Sequence, residues 1–186
     1  MHMIQIPIRL EERLKKLFSR AQDRTAFVKE TLTQAIDALE EQGGDGMPTA
    51  IGGVLHLYTD GGSRGNPGES AVGCVLIDPT SDKVIKEYKE AIGIHTNNVA
   101  EYRALIAGLE MTRNYHPNRL VCHLDSELIV KQLSGEYRVK MPTLQPLLQE
   151  IQEIISDLPD VSFCHVPRAE NKEADKLVNQ ALDAIS

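Results

Sequence analysis

Apolar and polar positions change period several times along this chain, and each change marks an element. Ile4, Ile6 and Ile8 alternate with Gln5, Pro7 and Arg9, the two-residue period of a half-buried strand. Leu14, Leu17, Phe18 and Ala21 then recur at helical spacing. Thr25 stands where it can cap a second helix, whose apolar side carries Phe27, Val28, Leu32, Ala35, Ile36 and Leu39. Beyond residue 53 the pattern predicts strands over 54–60, 70–78 and 83–94 and a helix over 98–115. It continues with a strand over 120–124, helices over 126–133 and 144–156, a strand over 161–166 and a helix over 171–185.

These elements divide into two units. Residues 42–53, QGGDGMPTAIGG, hold five glycines and a proline, the composition of a flexible linker. Residues 1–41 form a small strand-helix-helix unit that cannot bury its own apolar face. It is expected to dimerise or to dock on the second unit. Residues 54–186 begin with three meandering strands and continue with alternating helices and strands. That order predicts an α/β domain, a five-stranded mixed sheet flanked by helices on both faces.

Composition narrows the class. The chain has 186 residues, 41% hydrophobic and 25% charged, which suits one substantial core plus a small accessory unit. No apolar run is long enough to cross a bilayer, so no membrane partner is expected. The first ten residues lack a basic segment followed by an apolar core, and the expected location is cytoplasmic. Cys74, Cys122 and Cys164 are odd in number, form no C-x-x-C pair and lie in apolar runs, so all three are expected to be buried free thiols.

The formal net charge of −7 runs against nucleic-acid binding until its distribution is considered. Residues 1–45 hold 7 basic and 8 acidic side chains, and residues 46–186 hold 13 and 19. Four acids in the second unit stand at chemically suggestive places. Asp60 ends the apolar run VLHLYTD, and GGSRGNPG follows as a turn. Asp125 ends a second such run, RLVCHLD, and can cap the helix that begins at Ser126. Thr96 or Asn97 caps the helix carrying Glu101, which places Glu101 near the end of the first turn, where an acid complements the helix dipole. Asp175 lies early in the last helix beside Ala174, Leu177 and Val178, an inward face where an acid needs a partner or a metal.

Read singly, each acid has an ordinary explanation as a turn, a cap or a dipole partner. Together they carry chemistry. If a helical crossover makes the strands of Asp60 and Asp125 parallel neighbours, both acids reach one sheet edge. Four converging carboxylates repel one another, and hard divalent cations relieve the repulsion. Oxygen-rich, histidine-poor ligation suits Mg²⁺ or Mn²⁺. Two ions about 4 Å apart can activate a water and stabilise the leaving oxygen of a phosphodiester. They would also cancel about four negative charges locally.

The motifs YTDGGSRGNPG, TNNVAEYRAL, LDSELIVKQL and VPRAENKEAD, in this order over about residues 54–185, resemble the type 1 ribonuclease H family. The resemblance implies catalytic and metal-holding roles for Asp60, Glu101, Asp125 and Asp175, with two ions per site. It implies hydrolysis of the RNA strand of RNA–DNA hybrids, leaving 5′-phosphate and 3′-hydroxyl ends. It further implies that Asn66 and Thr96 hold a phosphate of the DNA strand, and that Asn97 and Asn98 line the minor groove. By the same resemblance Gly61, Ser126 and Glu127 approach the RNA strand, where the 2′-hydroxyl is read. The chain departs from the better-known bacterial pattern twice. In place of a basic, aromatic-rich protrusion it has the short GEYRVKMPTLQP. In place of a mobile loop histidine it offers His165, ten residues before Asp175, for proton transfer, and Arg168 as a cation near the scissile phosphate. The shorter form resembles a subgroup that lacks both features.

The first unit, IQIPIRLEERLKKLFSRAQDRTAFVKETLTQAIDALEE, resembles a ribbon-helix-helix module. That resemblance implies a homodimer through residues 1–41, with Gln5 and Arg9 facing the major groove of duplex DNA. Pro7 departs from it, because proline cannot donate to the ribbon's ladder. A competing reading therefore makes the chain a DNA-binding regulator with a catalytically idle nuclease fold; the intact carboxylates argue against it. The readings combine if the ribbon tethers a dimeric nuclease and supplies the grip that the missing protrusion does not. Removal of residues 1–45 is then expected to weaken hybrid binding and convert a dimer to a monomer. Filter binding and sedimentation, with both values unchanged, would refute the tether.

Overall fold

The computed structural model describes residues 53–185, together with Phe27, Val28, Glu30 and Thr31. The chain divides into units Met1–Met47 and Pro48–Ser186. The four described residues of the first unit are helical. The expected strand and first helix, and with them Gln5 and Arg9, lie outside the described residues.

The elements of the second unit are β1 (Val54–Gly65), β2 (Gly68–Asp78), β3 (Lys83–His95), α1 (Asn97–Arg113), β4 (Arg119–Leu124), α2 (Glu127–Leu133), α3 (Gln145–Ser156), β5 (Val161–His165) and α4 (Lys172–Asp183). A single 3₁₀ turn, Arg168–Glu170, precedes α4. The sheet order is β3-β2-β1-β4-β5, antiparallel from β3 to β1 and parallel from β1 to β5. The mixed sheet expected from the order of elements is therefore present, with helices on both faces.

Alternation along the strands decides which side chains meet which helix. Leu55 and Leu57 of β1, Leu120, Cys122 and Leu124 of β4, and Cys74 and Leu76 of β2 pack under Tyr102, Leu105 and Leu109 of α1. Ile151 and Ile154 of α3 close the same core. On the opposite face Val178, Ala181 and Leu182 of α4 pack on Ala71. Fully burying one leucine contributes roughly 2 kcal/mol. Exposed pairs such as Arg113–Asp157 contribute roughly 0–1 kcal/mol each, so the two apolar layers hold the fold and the ion pairs trim it.

The structure departs from two expectations. β1 does not end at Asp60 but runs on to Gly65, and the turn falls at Asn66 and Pro67. Gly61 is a strand residue, because α1 lies directly on it. A Cβ there would stand 2.2 Å from the Ala100 carbonyl carbon. The glycines that read as turn signals are thus sites of close approach. The second departure concerns the thiols: Cys74 and Cys122 are buried, but Cys164 is exposed. It lies on an edge strand, on the face away from α1, where α4 does not reach.

α4 sits on the sheet as closely as α1 does. A Cβ on Gly73 of β2 would stand 2.4 Å from the Ala174 carbonyl oxygen. Gly73→Ala is expected to push α4 off the sheet and destabilise the protein by roughly 1–3 kcal/mol, read as a lower urea midpoint. An unchanged midpoint would show that the contact is looser than the structure has it.

Candidate active site

The parallel pairing of β1 and β4 sets Thr59 beside Leu124. The next residues, Asp60 and Asp125, therefore lie side by side where the strands open, the position where open α/β sheets hold ligands. Glu101 comes from α1. Thr96 caps that helix, its Oγ1 accepting the Val99 N–H at 3.4 Å, and Asn97 is the first helical residue. Glu101 is consequently the fifth residue of α1. The first turn holds no acid, and the dipole explanation for Glu101 lapses. Nor is Asp125 a cap, since Ser126 holds that place for α2.

One oxygen from each of Asp60, Glu101 and Asp125 lies within 4.8 Å of the others. Asp60 is 7% exposed and Glu101 8%. Burial, then the charges of Asp125 and Asp175, push the Asp60 carboxyl up to about 7. Burial, then Asp60 and Asp125, push Glu101 up to about 9. The Gly61 backbone N–H, bonded to both carboxyls, and the Arg168 guanidinium pull the other way. Glu101 Oε2 is buried and has no hydrogen-bond partner among the described residues. A buried carboxylate oxygen without a donor, beside two more acids, is the donor set of a hard cation.

Asp175 reaches the same site from a fourth element, α4. It lines the same cleft, of about 320 Å³, but stands outside the close trio. Its carboxylate accepts from Arg168 at 2.5 Å and from Asn179 Nδ2 at 3.0 Å. Arg168 lines the cleft as well, as do Gly61 and Asn97. Asn66 Oδ1 accepts the Asn97 N–H at 3.2 Å, which ties the β1–β2 turn to the start of α1. Asn66, Thr96, Asn98, Ser126, Glu127 and His165 do not line the cleft. Glu127 is paired with Lys131 at 2.8 Å on the exposed side of α2. His165 is exposed at the end of β5, its Nε2 3.2 Å from the Asp125 carbonyl oxygen.

Three residues of the site escape a reading of the sequence. Asn179 bonds Asp175 from one helical turn on, and its i,i+4 spacing is the available signal. Arg64 reaches from the end of β1 to Asp183 and the Leu182 carbonyl of α4, closing the cleft's far side. Asn171 is buried and donates to the Thr59 carbonyl at 2.9 Å, while its own carbonyl accepts the Asp175 N–H at 3.1 Å. It thereby fixes the start of α4 next to Asp60. Nothing in the spacing of Arg64 or Asn171 marks either contact.

The raised carboxyls set a pH dependence. A carboxyl raised by folding stabilises the fold while protonated. That stability is full below the ordinary values of 3.8 for Asp60 and 4.5 for Glu101, and is lost as pH rises through about 7 and about 9. The metal-free protein is therefore expected to lose thermal stability between about pH 5 and 9, and added Mg²⁺ should restore more of it at the alkaline end. Calorimetric melts with and without Mg²⁺ decide this; a Mg²⁺ effect larger at pH 5 than at pH 9 would contradict it.

Comparison with known proteins agrees with this geometry. A family model described as reverse transcriptase-like matches residues 58–181. Ribonuclease HI of Halobacterium salinarum is 42% identical over 155 residues, 79% of this chain and 76% of that protein. The crystal structure of RNase H1 from that archaeon superposes with a TM-score of 0.69, covering 71% of this chain and 99% of that one at 42% identity. LC11-RNase H1, solved in complex with an RNA/DNA hybrid, gives a TM-score of 0.67 at 42% identity, over 71% of this chain and 99% of that one. A bifunctional protein of Mycobacterium tuberculosis is 45% identical over 130 residues, 70% of this chain. The chain spans only 36% of that protein's length. With the carboxylate trio gathered where β1 parts from β4 and these relatives over the same residues, the chain belongs to the ribonuclease H family.

Proposed function

We propose that the chain is a metal-dependent endoribonuclease that hydrolyses the RNA strand of RNA–DNA hybrids and leaves 5′-phosphate and 3′-hydroxyl ends. The observation that carries the proposal is the close trio of Asp60, Glu101 and Asp125, with the Glu101 Oε2 atom buried and unpartnered among the described residues. Relatives named ribonuclease H, and one of them solved on a hybrid, support the substrate.

Asp60, Glu101 and Asp125 would hold one ion, and Asp60 with Asp175 a second, the ions being Mg²⁺ or Mn²⁺. Bound there, such ions supply the charge that activates a water and stabilises the leaving oxygen. The chain's own residues set the conditions. Asp60 and Glu101 must give up their protons, which their burial and mutual repulsion make easy only when positive charge arrives. Arg168, now on Asp175, is exposed and long enough to turn to the substrate phosphate when Asp175 is otherwise engaged. His165, beside the Asp125 carbonyl, is the candidate for proton transfer at the edge of the site. Asn66 and Thr96 would seat a DNA-strand phosphate; Asn97 and Asn98 the minor groove; Gly61, Ser126 and Glu127 the RNA. Residues 1–41 would dimerise the enzyme and grip duplex DNA through Gln5 and Arg9, with 42–53 as the tether to the catalytic domain 54–186. The protein works in the cytoplasm on this reading. Among the described residues no helix is long and apolar enough to cross a membrane.

Asp125→Asn, which removes one charge from the crowded trio, is expected to melt no lower than the wild type and to lower Mg²⁺- or Mn²⁺-dependent cleavage of a labelled hybrid by at least about 100-fold. RNA duplex and DNA duplex should be left intact by the wild type. Wild-type rates in the variant would sink the proposal.

A further inference from the structure

The cleft that holds the acids runs on between β1 and α4, and both arginines that line it are engaged by carboxylates of α4. Arg168 is paired with Asp175 in the first turn of the helix. Arg64 is paired with Asp183, the last helical residue, and also donates to the Leu182 carbonyl at 3.4 Å. Strand alternation places Asp60, Gly62 and Arg64 on one face of β1. Four strand steps separate Arg64 from Asp60, about 13 Å along the cleft. Gly62 between them offers no side chain, and Val178 and Leu182 of α4 line the same stretch. A polyanionic strand with one phosphate at the acids therefore passes Arg64 with another.

The ion pair that occupies Arg64 is weakly made. The Arg64 side chain is 41% exposed and that of Asp183 69%. Exposed pairs of this kind contribute roughly 0–1 kcal/mol. A guanidinium presents to a phosphodiester the same planar fork that it presents to a carboxylate. A nucleic acid adds the release of its condensed counterions, which a single side chain does not. Exchange of Asp183 for a phosphate is therefore favoured once a strand lies in the cleft. A second role explains part of the contact, since a cation near the last carbonyls of α4 complements the helix dipole. That role uses the Leu182 carbonyl and not the Asp183 carboxylate, so experiment can separate the two.

We propose that Arg64 is a substrate-binding residue, latched on Asp183 in the free protein and transferred to a backbone phosphate of the hybrid beyond the one at the acids. The inference rests on the hybrid substrate proposed above. Asp183 acts in it as a competitor for Arg64, and the pair keeps the arginine's charge neutralised until a strand fills the cleft.

The test measures hybrid binding by the full-length protein over a range of salt, with Ca²⁺ in place of Mg²⁺ to suppress cleavage. Arg64→Ala should lower the slope of log affinity against log salt by about 0.7–0.9, which is roughly a five- to eightfold loss at 0.1 M salt. Arg64→Lys should keep the wild-type slope. Asp183→Asn should tighten binding about two- to fivefold. The exposed pair Arg119–Asp160, at the start of β4 and outside the cleft lining, is the control for charge alone. Arg119→Ala and Asp160→Asn should each change affinity less than about twofold, because screening removes charge effects at that range. If the Arg64–Asp183 pair only fastened β1 to α4, Asp183→Asn would weaken binding as Arg64→Ala does. That result overturns the proposal, as does an unchanged slope in Arg64→Ala, a lost slope in Arg64→Lys or equal effects at the control pair. Absence of hybrid binding by the wild type overturns the substrate itself.

Discussion

The parallel pairing of β1 with β4 is the constraint from which the rest of the second unit follows. Parallel neighbours need a crossover, and α1 is that crossover, lying over β1 and β2 with Tyr102, Leu105 and Leu109 in the core. The same pairing puts Asp60 and Asp125 at the same level, and the crossover brings Glu101 between them. The approach is close because Gly61 has no Cβ to hold α1 away. An alanine-sized group at that one position would separate the helix acid from the strand acids. A single geometric decision thus yields both the fold's handed connection and its densest cluster of negative charge.

That cluster opposes folding. Burying Asp60 and Glu101 beside Asp125 is costly while they are charged, and both respond by holding protons up to about 7 and about 9. The apolar layers on the two faces of the sheet tolerate the strain. On the open side Arg168 and Asn179 engage Asp175, and Asn171 anchors α4 to β1. The site is therefore held in shape by contacts outside the trio.

The distribution of charge and the length of the segment after α2 bear on substrate grip. With a net charge of −7, the chain has little long-range attraction for a polyanion. The 3₁₀ turn and α4 offer Arg168 at the cleft, and Arg64 lines it from β1 but is engaged with Asp183. Segment 135–146 carries only Arg138 and Lys140 as cations. Affinity by this route rests on few phosphate contacts, which is the physical reason a second unit joined by a glycine-rich linker is of functional interest.

The order of elements, the two-layer covering of the sheet, the strand end before Asp125 and a helix cap at Thr96 or Asn97 are legible in the sequence. They are set by local rules: alternation, helical period and capping chemistry. Where sequence and structure differ, the deciding partner is distant in sequence. Gly61 and Gly62 read as turn residues because their neighbours Ala100 and Val178 lie tens of residues away. Cys164 reads as buried because its strand is apolar, whereas burial depends on which faces the helices reach. Asp175 reads as an acid in need of a partner or a metal, and the fold sets Arg168 and Asn179 against it. Local rules along the chain single out the candidate residues and the elements that carry them. How near those residues come to one another is settled by the packed fold, because separations between strands and helices are fixed by side-chain packing across the sheet and not by spacing along the chain.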